Sequence, residues 1–129
     1  GAAEGKRRKK TYSITPDGRA AFSHWVAQPM QAGKVKNMEL SRLFFGGLAQ
    51  PEARLAAVRD YIRQMEETRG LLSAIQAHFQ QMNRQDLPQG IDWQQVLRFQ
   101  AYTIQYGIAA AEFEINWYSR LLHELEEQP

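Results

Sequence analysis

The chain contains no cysteine. That single absence removes disulfide frameworks, thiolate nucleophiles and thiolate metal sites, and it fits a reducing compartment, the cytoplasm. It also lacks any run of about 18 apolar residues, the length of a membrane-spanning helix. The first residues carry a basic cluster without the apolar stretch and small-residue cleavage site of a secretion signal. A soluble protein with no membrane partner is therefore expected. Catalytic patterns are missing too. His24, His78 and His123 show neither H-E-x-x-H nor E-x-x-H spacing, and the chain has no G-x-S-x-G elbow and no phosphate-cradling glycine loop. Glu112 and Glu114, two residues apart on a helix, point in different directions and read as solvated or interface-rim charges. No enzyme, catalytic residue, metal or cofactor is expected.

The 129 residues are 43% apolar, enough for one domain with a core and a short appendage. The net charge of +2 is unevenly spread: residues 1–19 hold six cations against Glu4 and Asp17, a local +4, which leaves −2 for the rest. Attraction between charges is screened beyond roughly 8 to 10 Å, so a polyanion would be met at the N-terminal end.

Thr11-Tyr12-Ser13-Ile14 alternates polar and apolar residues and predicts a half-buried strand. Thr15 can cap a helix opened by Pro16, with Asp17 near its positive end, running over 16–28 to Pro29. Asn37 can cap a short apolar helix carrying Met38, Leu40, Leu43, Phe44 and Phe45 and ended by Gly46-Gly47. Pro51 opens a long helix to about residue 84. Its stripe is Leu55, Val58, Ile62, Met65, Leu72, Ile75, Phe79 and Met82, with a phase slip and local bend expected at Arg69-Gly70. After a turn over 86–90, Asp92 can cap a last helix from Trp93 to about Glu127.

That last helix carries two apolar stripes. One is Leu97, Ala101, Ile104, Ile108, Ala111, Ile115, Tyr118, Leu122 and Leu125; the other is Phe99, Tyr102, Tyr106, Ala110, Phe113, Trp117 and Leu121. The long helix can cover one of them. Leaving the other wet forgoes about 1.5 to 3 kcal/mol per large side chain, so a second copy of the chain is the simplest cover. The expected fold class is mainly α: a long antiparallel helical hairpin with short helices, paired by two-fold symmetry into a dimeric coiled-coil-like bundle, with Gly107 and Ala109 to Ala111 permitting close approach. Leu97, Ile104, Ile108, Ala111, Ile115, Trp117, Tyr118 and Leu122 are expected at the homodimer interface, centred on Ile104, Ile108, Ile115 and Trp117. The alternative is a monomer whose short helices fold over the hairpin.

The segment Lys10-Thr-Tyr-Ser-Ile-Thr-Pro-Asp-Gly-Arg19, followed by Trp25, Pro29, Leu43-Phe44-Phe45-Gly46, Pro51-Glu52, Gly107-Ile108 and Glu114-Ile115-Asn116-Trp117, resembles bacterial PadR-like transcription regulators and the virulence activators grouped with them. The order covers almost the whole chain, and the Y-x-I-T-P-x-G-R pattern is its most specific part. The resemblance implies a winged helix-turn-helix, of which residues 1–15 would be the remnant wing strand, and a helical C-terminal dimerisation domain over 16–129. It also implies helix exchange between subunits and action at palindromic operators. Only four residues precede Gly5, so the recognition helix of that family is not expected here. Lys6, Arg7, Arg8, Lys9 and Lys10 would be a wing tip meeting DNA phosphates or the minor groove in the full-length protein. The family resembles sensors of aromatic compounds, and Trp25, Trp93, Tyr102 and Tyr106 are the candidate walls for a small aromatic effector. The competing function is a free-standing helical sensor that binds such a molecule or a partner helix without DNA.

Overall fold

The computed structural model describes residues 15–32, 37–83, 85 and 87–128. The chain divides into two compact units, 1–37 and 38–129. The strand expected over Thr11 to Ile14 and the basic run Lys6 to Lys10 lie outside the described residues.

In the first unit, helix α1 spans Pro16–Val26. The Thr15 hydroxyl accepts from the Gly18 N–H at 2.9 Å and Pro16 occupies the first turn, so the cap legible in the sequence is made. Phe22 and Trp25 share one face, ring centroids 5.9 Å apart.

The second unit begins with α2, Met38–Phe44, and a 3₁₀ turn at Gly46–Leu48. Arg54 ties that turn to the helix after it: its Nη1 donates to the carbonyls of Gly46 at 3.1 Å and Ala49 at 2.9 Å, acceptors the turn would otherwise leave to water. Helix α3, Pro51–Gln80, and helix α4, Trp93–Glu127, then pack along their lengths. At 1.5 Å per residue they are roughly 45 and 52 Å long. The pairing is antiparallel, because cross-contacts descend along α4 as they ascend along α3: Arg59 meets Glu126, Tyr61 meets Glu114 and Tyr118, and Leu72 meets Gly107.

Helix α3 stops at Gln80, short of the expected residue 84. The last turn tightens as the N–H groups of Gln81 and Met82 bond to the carbonyls of His78 and Phe79. Asn83 then competes for the backbone, its side-chain oxygen accepting from Gln85 N–H at 3.0 Å, a local bond that favours a turn over another helical residue. Met82 therefore lies beyond the helix. The loop ends at Gly90, whose φ of +89° suits glycine, and Trp93 Nε1–H donates back to the Pro88 carbonyl. Asp92 caps α4 by accepting from Gln95 N–H at 3.3 Å.

Helix α3 runs without interruption through Arg69-Gly70, and the phase does not slip there. The half-buried row continues Leu55, Val58, Ile62, Met65, Arg69, Leu72, Gln76, Phe79, a regular alternation of threes and fours with two polar residues in apolar slots. Ile75, expected on the stripe, is 37% exposed and sits one step off it. Opposite this row lies the first stripe of α4, of which Leu97, Ala111, Ile115 and Tyr118 are buried and Ile104, Ile108 and Leu122 half-buried. With Val58 they are the core of the described residues. At Gly107 the helices come so close that an added Cβ would stand 2.9 Å from Leu72 Cδ1.

Candidate functional site

Among the described residues of the second unit, two surfaces are considered as sites. The first is the second stripe of α4, where Phe99, Tyr106 and Phe113 are 59%, 76% and 63% exposed and Tyr102 is also exposed. Phe99 and Tyr102 stack edge to face at 5.3 Å, and the Arg98 guanidinium lies 5.3 Å from the Phe99 ring centre and 5.9 Å from that of Tyr102. Trp117 turns partly inward, its ring 5.0 Å from Tyr118.

The second is a concavity of about 720 Å³ within the second unit, walled by α2, the 3₁₀ turn, the first half of α3 and the end of α4. Leu43, Ala57, Val58 and Leu121 supply apolar wall, and Tyr61, Tyr118 and Arg42 also line it, the Tyr118 hydroxyl itself being sealed from solvent. The Tyr61 hydroxyl donates to Glu114 Oε1 at 3.0 Å across the helices, and its ring meets that of Tyr118 at 4.7 Å. Burial, then the Glu114 carboxylate, pushes the Tyr61 phenol up to about 12. The Tyr118 phenol is raised as well, first by burial and then by the charges of Glu114 and Glu39.

The residues expected at a dimer interface are thus found along the seam of one chain, with Trp117 at its edge. Of the four expected to wall an aromatic pocket, none lines this concavity: Tyr102 and Tyr106 stand on the exposed stripe, Trp93 is half-buried at the start of α4, and Trp25 belongs to the first unit. The sequence reading missed Tyr61, Arg42 and the hydroxyl of Tyr118. Tyr61 stands one step from the seam residue Ile62, and that one-residue offset was the available signal. Among the described residues no three His, Cys, Asp or Glu side chains gather to hold a metal, and no helix is long and apolar enough to cross a membrane.

Residues 35–126 match the family model described as Virulence activator alpha C-term. The chain belongs to that family. The match begins within three residues of the boundary between the two units, so the virulence activator alpha C-terminal domain coincides with the hairpin and its short helices. The family is one of transcription regulators, not of enzymes. No curated protein matches the chain. Among solved structures, the crystal structure of the PadR-like transcriptional regulator BC1756 from Bacillus cereus is similar, with a TM-score of 0.69 at 21% identity over 98% of this chain and 72% of that one. The mainly helical fold is therefore shared with a PadR-like regulator.

Proposed function

We propose that this virulence activator alpha C-terminal domain is the homodimerisation module of a cytoplasmic DNA-binding transcription regulator, holding two DNA-contacting segments at a fixed separation. The observation that carries the reading is the exposed aromatic row on α4. Phe99, Tyr102, Tyr106 and Phe113 recur on the side of the helix opposite its α3-facing row, and each ring left in water forgoes roughly 1.5 to 3 kcal/mol. A second copy presents the same row, and a two-fold axis lets the two α4 helices cover one another. Arg98 then stands beside the aromatic contact, where a cation over ring faces is favourable. In this reading Leu97, Ile104, Ile108, Ala111, Ile115, Tyr118 and Leu122 act on the dimer indirectly, by fixing α4 on α3, and DNA meets Lys6, Arg7, Arg8, Lys9 and Lys10. A free-standing sensor would have no use for that basic segment.

Sedimentation equilibrium tests the assignment. The unaltered chain is expected to be a dimer at micromolar concentration, and Phe113→Asp combined with Tyr106→Asp a monomer with unchanged helical circular dichroism, since both positions are exposed in the single chain. A compact monomer at every concentration would instead mean that the chain covers its own α4 row.

A further inference from the structure

From Phe99 to Ala111 helix α4 carries no charged side chain, and this stretch, with Phe113 just beyond it, presents the exposed aromatic row. One charge stands at each end. Arg98 precedes Phe99, and Glu112 precedes Phe113. Both are exposed, and among the described residues neither has an ion-pair partner in its own chain, whereas Arg59 is paired with Glu126 and Arg63 with Asp60 and Glu67. The Arg98 guanidinium already leans onto the row, 5.3 Å from the centre of the Phe99 ring.

Arg98 and Glu112 are two heptads apart in sequence, so they return to within about 40° of one another around the helix, on one flank of the row. Glu114 lies on the other flank, where the Tyr61 hydroxyl donates to it. Opposite signs on one flank make the row directional. In an antiparallel pair about a two-fold axis level with Tyr106, each Phe99 faces the partner's Phe113, and the flank bearing Arg98 and Glu112 lies beside its own copy. Each Arg98 then comes level with the partner's Glu112, once at either end of the aromatic contact. In a parallel pair each Arg98 stands about 21 Å along the axis from the partner's Glu112, and both charges stay unmatched.

We infer that Arg98 and Glu112 orient the proposed dimer: the two α4 rows pack antiparallel, centred on Tyr106, with an Arg98–Glu112 ion pair closing each end. The inference rests on the dimer reading and adds its direction and register. Exposed ion pairs are individually weak, so the rings supply the affinity and the charges choose the orientation. A helix with like charges at these two places is turned away.

The chain has no cysteine, so single cysteines carry nitroxide labels without background. Double electron–electron resonance on labelled Gln105→Cys and Ser119→Cys reads the direction. In the antiparallel pair the distance between like positions grows by about 3 Å for each residue from the axis, so labels at 119 are expected about 40 Å apart and labels at 105 within about 20 Å. Both pairs of labels within about 20 Å would mean a parallel dimer and overturn the inference. Sedimentation equilibrium of Arg98→Glu and Glu112→Arg reads the charges. Each variant alone should dimerise about tenfold more weakly than the parent at low salt, because like charges then meet at both ends. An equimolar mixture of the two should recover the parent affinity, since residues 98 and 112 are then opposite in sign at both ends. Unchanged affinity of the single variants, or a mixture no tighter than either, would overturn the inference as well. A parent chain that is monomeric at every concentration removes the dimer reading and this inference together, whereas a parent that dimerises while either arm fails keeps the dimer and loses only its orientation.

Discussion

Two glycines in helix interiors have opposite reasons to be there. Gly70 lies in the middle of α3 with nothing within 4 Å of where a Cβ would sit, so it bears the entropic cost of glycine with no packing return. Gly70→Ala is expected to raise stability by about 1 kcal/mol in chemical denaturation. At Gly107 the Leu72 methyl stands 2.9 Å from the same point. Gly107→Ala sets a similar propensity gain against a methyl that can rotate away, whereas Gly107→Leu must part the helices and should cost about 2 kcal/mol or more. Tolerance of leucine there would mean that the helices do not approach so closely. Tyr61 supplies a pH-dependent test at the same scale. Its folded-state phenol is raised from 10.0 to about 12, so the folded chain holds this proton more tightly than the unfolded chain. The associated stability is complete below pH 10 and drains away as pH climbs from 10 to about 12. Tyr61→Phe should therefore lose less stability than the parent between pH 9 and about 11.5, read from denaturation midpoints. Tyr118, raised in the same direction, leaves it some residual slope.

At the scale of the element, the seam of α3 carries a recurring irregularity: Arg69 and Gln76 occupy slots where the heptad would place leucine. Polar residues at such positions fix register at some cost in stability. Gln76→Leu is accordingly expected to raise the denaturation midpoint, by about 1 kcal/mol, while Ile75→Gln, off the row, should cost less than Leu72→Gln, on it. The reverse order for the last two would mean that the phase does slip near Gly70. These slots show where the sequence was legible and where it was not. Thr15, Pro51 and Asp92 announced helix starts through local chemistry, which needs only neighbours along the chain. The two stripes of α4 were equally plain in their spacing. Which stripe faces α3 was not, because both obey the same period and the choice is made by the partner surface: small Gly107 admits Leu72 to a close seam, and the bulky row of Phe99, Tyr106 and Phe113 does not offer that. The apparent slip at Arg69 has the same origin, since a half-buried arginine and glutamine look like surface residues to a reader who counts apolar side chains. The concavity was least legible, because Arg42, Tyr61 and Tyr118 are brought together only by the antiparallel fold-back.

For the whole molecule, the proposed dimerisation would have an electrostatic consequence that separates it from mere concealment of aromatic rings. Each chain carries the run Lys6-Arg7-Arg8-Lys9-Lys10, so a pair presents it twice. Each phosphate neutralised adds about 0.9 to the slope of log affinity against log salt, up to roughly 4 to 5 for one run and about twice that when both engage one duplex. Phosphate contacts carry no base information, so this 129-residue chain is expected to bind palindromic and scrambled duplexes alike, with affinity collapsing as salt rises. Replacing all five cations by glutamine should remove that binding and leave the sedimentation of the dimer unchanged. Phe113→Asp with Tyr106→Asp should leave the cations in place but halve the salt slope, because each monomer then releases the counterions of one run alone. Were the monomeric variant to keep the full slope, the α4 row would be joining two chains without joining their basic segments on DNA.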